Sequence, residues 1–339
     1  MATAGKDTTD ASGGPGNTAT PAIRHSKPPV NHHRAPRAAT YSTSILPFER
    51  SPNGNILAAF CRAAYWTQGR AVWGALTASG DTKHCYKMDH ARRGRAIIIN
   101  NETFHHDLYL GQRTGTDRDA ENMESLLSEL GFDITARKNC TAAEMKSMLV
   151  EAARESQGDA DCFVCVILSH GDDGAVYGTD ESVKVEDLVA PIKACKSLAG
   201  KPKLFFIQAC RGKFVDGGVE VVDSKGKHGQ DDEEEMESDE VAVQTIPVEA
   251  DFLMAYSVAQ GYYSWRNREQ GSWFVQAVVK VVRDNWRRMD LLTMMTRVSH
   301  KVAYDFESNV PSNRFLHMKK QIPCITSMLT KDLYFTPKV

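Results

Sequence analysis

From about residue 90 onward, short apolar runs alternate with segments whose apolar positions recur every three or four residues. The runs are too short for stable helices and contain many β-branched and aromatic residues, so they predict buried strands. Strands that are apolar throughout and alternate with helices are typical of a mostly parallel sheet covered on both faces. We therefore predict an α/β fold with a central sheet of about six strands. The predicted strands are residues 96–99, 132–136, 162–168, 204–207, 252–256 and 322–329.

The segments between these strands predict amphipathic helices. Gly131 stands where a helix C-cap belongs, and Thr141 with Glu144 matches a capping box at the start of the next helix. The residues predicted to face the core are Ala120, Met123, Leu127 and Leu130 in one helix, Met145, Met148 and Leu149 in the second, Leu188 and Ile192 in the third, Phe274, Ala277, Val278 and Val281 in the fourth, and Leu292, Met295, Val298 and Val302 in the fifth.

The N-terminal part of the chain has a different composition. Seven of the 13 prolines precede residue 53, and residues 1 to about 55 are predicted to be disordered because they cannot bury enough apolar surface. Residues 56–76 carry apolar positions at helical spacing. They are either a partly ordered linker, which we favour, or a docking segment for a membrane surface or a partner.

The overall charge and the cysteine content exclude several classes of protein. The 339 residues have a net charge of −2, which combines +5 in residues 1–80 with −6 in residues 224–240. The basic arm has no nucleic-acid-binding motif, and no apolar run reaches the roughly 20 residues of a membrane helix. Eight cysteines without regular spacing predict neither disulfides nor a metal site. We expect a cytoplasmic protein that binds neither nucleic acid nor membrane.

Two potentially catalytic side chains follow predicted strands. Residues 162–168 lead into Ser169-His170-Gly171, and residues 204–207 lead into Gln208-Ala209-Cys210-Arg211-Gly212. Sites in parallel sheets lie beyond the carboxyl ends of the strands, so His170 and Cys210 would meet there if the strands are neighbours. A cysteine becomes a nucleophile when a base such as histidine lies nearby. Gly171 and Gly212 would leave backbone N–H groups accessible to an oxyanion.

The string of residues 208–212 matches a signature of caspases. From about residue 86 to 335 the chain resembles an effector caspase zymogen of the insect or other invertebrate type. This resemblance implies a caspase-like fold and an apoptotic endopeptidase that cleaves proteins after Asp. The motifs that carry it are residues 113–117, 168–171, 200–212, 246–256, 261–267, 271–276 and 320–329.

The resemblance implies a role for each catalytic residue. Cys210 would attack the carbonyl after Asp, His170 would donate a proton to the leaving amine, and the N–H groups of Gly171 and Cys210 would hold the oxyanion. A backbone carbonyl near Gly111 would orient the histidine. No metal or other cofactor is implied.

The resemblance also implies a substrate-binding cleft. Arg113 and Arg266 would hold the substrate Asp, with Gln208 as a neutral donor, because arginine offers a planar fork to a carboxylate. The loop 309–315 departs from the family pattern, and Phe315 is its one candidate for the fourth subsite. Tyr262 is expected in the core. The remaining subsite residues are Ser264 and Arg266, which would pair with the substrate main chain, Tyr263 and Trp265 in the second subsite, and Asn267 and Trp273 in the fourth.

A zymogen of this family is cut into subunits that stay together. We expect a prodomain at 1–85, a large subunit at 86–223, an acidic linker at 224–240 and a small subunit at 241–339, assembled as a homodimer of heterodimers. Asp223 is the expected cut between the subunits, and Asp10 or Asp81 the cut that removes the prodomain. An upstream initiator caspase would activate the chain. An Ala11 start after Asp10 would suit inhibitor-of-apoptosis proteins.

Two other functions remain open at this point. A catalytically dead relative that only binds other caspases would not need His170, Cys210 and the two arginines, all of which are present. A thiol redox protein would need a resolving cysteine beside Cys210, and none is evident.

Overall fold

The computed structural model describes residues 81–155, 157–218 and 247–338. All of them belong to one unit that runs from Asn53 to Val339. The predictions for residues 1–80, including Asp10 and the segment 56–76, lie outside the described residues, as do those for Asp223 and the acidic linker.

Six strands form the central sheet, as predicted. The described strands are, in chain order, β1 Arg95–Asn100, β2 Asp133–Lys138, β3 Phe163–Leu168, β4 Gly171–Asp172, β5 Ala175–Tyr177, β6 Ser182–Lys184, β7 Lys203–Gln208, β8 Phe252–Tyr256, β9 Arg266–Asn267, β10 Gly271–Ser272 and β11 Cys324–Ser327. The central sheet has the order β11-β8-β7-β3-β1-β2, and only β11 among its strands runs antiparallel to its neighbour. This arrangement confirms the mostly parallel sheet.

Five described α-helices cover the two faces of this sheet: α1 Thr116–Glu129, α2 Ala142–Arg154, α3 Val185–Lys193, α4 Trp273–Asn285 and α5 Leu291–Asp305. Helices α1, α4 and α5 pack on one face, and α2 and α3 pack on the other. Alternate strand residues point into the two cores, so Cys162 and Cys165 lie in different ones. The two thiols therefore do not form a redox pair.

The predicted helix signals are largely correct. Gly131 follows α1 with a φ of +86°, and Thr141 and Glu144 form the capping box of α2. The prediction for Leu292 is wrong, because its side chain is 38% exposed. Asp290 caps α5, and with that starting point Leu291 begins the buried face instead.

The register of the parallel strands brings four loops to one edge of the sheet. Beyond the strand ends, the Ser169 amide donates to the Gln208 carbonyl at 3.1 Å, and the Ser257 amide donates to the Ile207 carbonyl at 2.9 Å. The loops after β1, β3, β7 and β8 therefore start side by side. This edge holds His170 and Cys210.

At the opposite end of the sheet, a buried ion cluster joins the segment before β1 to the end of the chain. Asp161 is completely buried and contacts three cationic or titratable side chains. Its carboxylate lies 2.8 Å from Arg93 Nη1, 2.6 Å from Lys338 Nζ and 3.0 Å from His90 Nδ1. The cluster connects parts of the chain that flank the proposed subunit boundary.

We expect Asp161→Ala to lower the free energy of unfolding by about 3–5 kcal/mol, because it leaves the buried Arg93 without its carboxylate. Asp159→Ala is the control: Asp159 is 54% exposed and pairs with Arg92 at 2.7 Å. The control should lose about 0–1 kcal/mol, as exposed ion pairs do. Urea denaturation measures both, and equal losses would contradict the assignment.

Candidate active site

A cleft of about 470 Å³ lies at the carboxyl edge of the central sheet. Its walls come from the loops after β1, β3, β7 and β8, which is where the sequence predicted a site. Its lining residues are Gly111, Gln112, Arg113, Thr114, Ser169, His170, Gln208, Ala209, Cys210, Tyr263, Ser264, Trp265, Arg266 and Arg268.

His170 follows β3 and is oriented by a backbone carbonyl. Its Nε2 lies 2.7 Å from the Gly111 oxygen, and the Phe104 ring packs 4.8 Å from the imidazole centroid. A carbonyl can only accept a hydrogen bond, so Nε2 carries the proton and Nδ1 is left to exchange one. Burial lowers the pKa of His170, the charges of Arg113 and Arg266 lower it further, and the bond to Gly111 opposes them.

Cys210 follows β7 and accepts a hydrogen bond from the Ser264 amide, 3.5 Å from its Sγ. Burial raises the pKa of the Cys210 thiol, against the opposing effects of this amide and of Arg113 and Arg266. Within the described residues, no hydrogen bond joins Cys210 to His170. In the empty cleft, therefore, the thiol and the imidazole are both neutral at neutral pH.

Gly171 lies where the loops of the two side chains approach most closely. A Cβ atom there would be 2.6 Å from the Cys210 carbonyl oxygen, so glycine is required. In the pairing of β4 with β5, Gly171 lies opposite Val176. The neighbouring pair, His170 with Tyr177, is hydrogen-bonded: the Tyr177 amide donates to the His170 carbonyl at 2.9 Å. Antiparallel pairs alternate between bonded and non-bonded, so the Gly171 N–H points away from β5.

Gly212 also has a steric reason to be glycine. Its φ is +148°, and a Cβ atom would lie 2.3 Å from the Gly261 carbonyl oxygen. The residue allows two loops to touch.

Arg113 is 1% exposed and fixed beside the cleft by its own neighbours. Its Nη1 donates to the Asn101 carbonyl at 2.9 Å and to the Thr116 hydroxyl at 2.7 Å. Its Nη2 has no hydrogen-bond partner within the described part of the chain. Burial, and then the charge of Arg266, lowers the pKa of Arg113 to about 9. The group stays cationic at neutral pH and has a donor to spare.

Arg266 and Gln208 complete this pocket. Arg266 Nε donates to the Thr114 carbonyl at 3.0 Å, and burial lowers the pKa of Arg266. Gln208 is 2% exposed and donates from Nε2 to the Ser264 hydroxyl at 2.8 Å, while its Oε1 has no partner among the described residues. Turning the amide over would present N–H to the cleft and keep an acceptor for the hydroxyl. Unpaired donors held out of water suit a carboxylate.

A row of aromatic rings forms the wall beyond this pocket. The ring centroids of Tyr263 and Trp265 are 5.2 Å apart, those of Trp265 and Trp273 are 5.7 Å apart, and those of Trp273 and Phe306 are 5.5 Å apart. Phe306 was not among the predicted site residues. Only its stacking on Trp273, distant in sequence, reveals it.

Of three further residues named in the sequence analysis, Tyr262 lies elsewhere than expected. Tyr262 was expected in the core but is 36% exposed and packs on Phe214 outside the sheet, because the chain has already left β8. Phe315 is 65% exposed. The Asn267 side-chain oxygen accepts from the Glu269 and Gln270 amides at 2.8 and 3.0 Å, so it also shapes the turn from β9 to β10.

Sequence reasoning also missed Gln321, a buried residue behind the cleft. Its Oε1 accepts from the Trp265 amide at 2.7 Å, and its Nε2 donates to the Ser257 carbonyl at 2.7 Å. The Ser257 hydroxyl in turn donates to the Ala209 carbonyl at 3.0 Å. These bonds connect the Trp265 main chain to the residue before Cys210. Gln321 lies in a motif that carried the resemblance, but no role was assigned to it.

Within the described ranges, no group of His, Cys, Asp and Glu could hold a metal ion. The seven cysteines in these ranges are free thiols. No described helix has the length and the apolar character to cross a membrane.

Comparison with known proteins gives a consistent result. A family profile described as "Caspase domain" matches residues 93–334. The chain is 43% identical to chicken caspase-7 over 252 residues, which are 74% of this chain and 79% of that protein. It is 45% identical to mouse caspase-3 over 252 residues, or 74% of this chain and 86% of that protein. The crystal structure of caspase-1 from Spodoptera frugiperda matches with a TM-score of 0.68 and 42% identity, covering 75% of this chain and 94% of that one.

The neutral state of Cys210 and His170 predicts how the thiol reacts in the empty cleft. Iodoacetamide alkylation of Cys210 should rise with pH through a pKa above that of an ordinary thiol, because burial disfavours the thiolate. Peptide mapping at a series of pH values measures it, with Cys210→Ala as the blank and buried Cys165 as an unreactive internal control. A rate that is already at its plateau near about pH 6 would instead indicate a preformed thiolate–imidazolium pair.

Proposed function

The chain belongs to the caspase family of Asp-specific cysteine proteases, and we propose that Cys210 and His170 are its catalytic pair. It is an effector caspase of the invertebrate type that acts in apoptosis. The observation that carries the proposal is one cleft in which a thiol and an imidazole lie beside two arginines, the buried Arg113 with a donor to spare and the half-buried Arg266. A catalytically dead binding protein would have no need of this combination.

The reaction follows from the protonation states of the pair. The Cys210 proton passes to His170 Nδ1, and the sulfur forms a bond to the main-chain carbonyl carbon of the substrate Asp. The C–N bond then breaks, and Nδ1 gives its proton to the leaving amine. Water hydrolyses the acyl-enzyme with the imidazole as base. The Gly111 carbonyl, which accepts from Nε2 at 2.7 Å, stabilises the transient imidazolium.

The oxyanion of the tetrahedral intermediate would be held by the N–H groups of Gly171 and Cys210. The Gly171 N–H points away from β5, and the Cys210 N–H makes no hydrogen bond within the described chain. Two such donors are the usual construction of an oxyanion hole, and the loss of one commonly costs about 10²–10³-fold in kcat.

Arg113, Arg266 and Gln208 would bind the Asp side chain of the substrate. The unpaired Arg113 Nη2 is a buried donor that a substrate carboxylate would satisfy. Gln208 would add a second donor once its amide is turned over, so that Nε2 faces the cleft and Oε1 accepts from the Ser264 hydroxyl. Asn offers one carbonyl oxygen and an NH₂ group that meets these donors unfavourably. Glu has the right charge, but its extra methylene displaces the carboxylate.

The rest of the cleft would bind the residues before Asp. The main chains of Ser264 and Arg266 would pair with the extended substrate. Tyr263 and Trp265 would form the second subsite. Asn267 and Trp273 would contribute to the fourth, where Phe306 extends the aromatic wall.

Fluorogenic tetrapeptides that end in Asp, Asn or Glu test this function. We expect cleavage after Asp with kcat/KM roughly 10⁴-fold above that after Asn, since Asn leaves buried donors unpaired. Cys210→Ala should abolish cleavage while the protein still folds, and Cys165→Ala should retain it. Similar rates for Asp and Asn would contradict the pocket assignment, and residual turnover by Cys210→Ala would contradict the nucleophile.

We also propose that the zymogen is activated by a cut after Asp223, between a large subunit at 86–223 and a small subunit at 241–339. The window Glu220-Val221-Val222-Asp223 has an acid at both ends, which matches the proposed cleft, and the acidic linker 224–240 would be accessible to a protease. The family implies a dimer of such two-subunit units.

An Asp223→Ala zymogen should resist activation by an upstream caspase, because the cut between subunits is removed. Mass spectrometry of the activated wild-type protein should find a small subunit that begins at Ser224. The Asp159→Ala zymogen is a suitable control, since its change is exposed and distant from the linker. Normal processing of Asp223→Ala would place the cut elsewhere.

The remaining partners are proposed from the N-terminal arm and the cysteines. A cut after Asp10 would expose Ala11 for inhibitor-of-apoptosis proteins, a recognition mode that captures an N-terminal amine. Asp81 is the alternative cut, but it begins a 3₁₀-helix at Asp81–His84 that would have to unwind to enter a protease cleft. An initiator caspase would be the activating enzyme. The free thiols favour the reducing cytoplasm.

A further inference from the structure

Asp119 is a fully buried carboxylate behind the arginine pocket. It lies in the first turn of α1, and its Oδ1 accepts a hydrogen bond from the Ser272 amide at 2.7 Å. Its Oδ2 has no hydrogen-bond partner in the part of the chain that the structure describes. A Cβ atom at Gly271 would lie 2.3 Å from Oδ1, so the chain passes directly over this carboxylate.

The charged groups closest to Asp119 in the fold are the two arginines of the pocket. Ser272, whose amide binds Asp119, is paired with Arg266 between β9 and β10, and Thr116, one turn before Asp119 in α1, accepts from Arg113. Arg113 comes from the loop before α1, and Arg266 comes from β9; both charges oppose the protonation of Asp119. Helices α1 and α4 are also joined by an ion pair between Glu129 and Arg283, which lies at the far end of α1. Arg113, Arg266 and Asp119 thus form a set of two cations and one anion.

We propose that Asp119 is a positioning residue for substrate: its carboxylate is the built-in counter-charge that keeps Arg113 and Arg266 charged and in place before substrate arrives. The inference rests on the proposed role of these arginines in binding the substrate Asp. Asp119 itself touches neither the substrate nor the reacting atoms.

The charges of Arg113 and Arg266 repel each other across a site that is largely shielded from water. Arg113 is held by two hydrogen bonds through Nη1, whereas Arg266 has one described bond, from Nε to the Thr114 carbonyl. Without an anion behind them, Arg266 would turn toward solvent or Arg113 would lose its proton more easily. Either change removes a charged donor from the pocket. With Asp119 present, the pocket has one net positive charge, which one substrate carboxylate neutralises.

The titration of Asp119 agrees with this role. Burial raises the pKa of Asp119 to about 6, against the hydrogen bonds from Ser272 and the two arginine charges. The counter-charge is therefore present above that pH and is lost as the pH falls through it. Acid should weaken substrate binding in the wild-type protein before the substrate Asp, with an ordinary pKa near about 3.9, is itself protonated.

The test is Asp119→Asn, which keeps an oxygen acceptor for the Ser272 amide and removes only the charge. We expect KM for an Asp-ending tetrapeptide to rise roughly tenfold, because one member of a buried charge cluster is lost. We expect kcat to change by less than about threefold, since the missing interaction is with bound substrate in both states. KM of the variant should not change between about pH 7.5 and pH 5.5, whereas KM of the wild type should rise over that interval.

Asp251→Asn is the matched control. Asp251 is 1% exposed and accepts hydrogen bonds from Tyr86 and Thr330 at the other end of β8, so this variant also neutralises a buried carboxylate. It should keep the wild-type KM and its pH dependence. Any common loss of stability is thus separated from the effect on substrate.

Each other outcome has a definite meaning. A wild-type KM for Asp119→Asn overturns the proposal. If Asp119→Ala then has a raised KM, the role of Asp119 is only to anchor the Ser272 amide. A fall in kcat at unchanged KM also overturns it. If Asp119→Asn does not fold, a wild-type KM that stays constant down to about pH 5.5 overturns it. Absence of any cleavage after Asp by the wild-type protein would instead refute the proposed function.

Discussion

The cleft depends on two guanidinium groups that repel each other, the fully buried Arg113 and the half-buried Arg266. Removing each ion from water costs several kcal/mol, and their mutual repulsion adds to that cost. The protein offsets it with a connected set of polar groups: Arg113 bonds to the Thr116 hydroxyl, which donates to Asn100 Oδ1 at 2.8 Å, while Asn100 Nδ2 donates to Asp117 at 2.7 Å. These groups stand at the end of β1 and the start of α1. The sheet edge thereby holds the first arginine in a fixed position.

The second arginine has to be brought to this edge from a distant part of the chain. Arg266 donates to the Thr114 carbonyl. The residues after Arg266 pass close to Gly115, where a Cβ atom would be 2.6 Å from the Arg268 carbonyl oxygen. The hydrogen bond from the Ser272 amide to Asp119 holds the β9–β10 hairpin, which includes Arg266, against α1. The two arginines lie on opposite sides of the proposed subunit boundary, so the pocket exists only while both parts of the chain remain packed. The shared sheet, in which β7 pairs with β8, provides that packing.

The sequence predicted the sheet well because burial on both faces leaves a local trace: all of β3 and the inner residues of β1 and β7 are apolar. It also predicted the positions of His170 and Cys210, because β3 and β7 are parallel neighbours and the residues just beyond their carboxyl ends therefore lie side by side. Arg113 was assigned through the family resemblance, since an arginine in isolation indicates only a surface charge. Asp119 and Phe306 were missed because their partners Ser272 and Trp273 are remote in sequence, 153 positions away for Asp119. Tyr262 and Leu292 were misplaced because a turn and a helix cap, rather than periodicity, decide where they point.

Burial makes the arginine pocket selective for a carboxylate, and it also disfavours the thiolate form of Cys210. A pocket of this kind can nevertheless serve a cysteine nucleophile. The charges of Arg113 and Arg266 lower the pKa of Cys210 and lower that of His170 as well. They therefore favour the thiolate and disfavour the imidazolium at the same time. In the reaction the proton moves from one member of the pair to the other, so the two influences oppose each other within a single step. Arg113, Arg266 and Asp119 together have one net positive charge before substrate binds and none afterwards, so they can recognise Asp without fixing the catalytic pair in either protonation state.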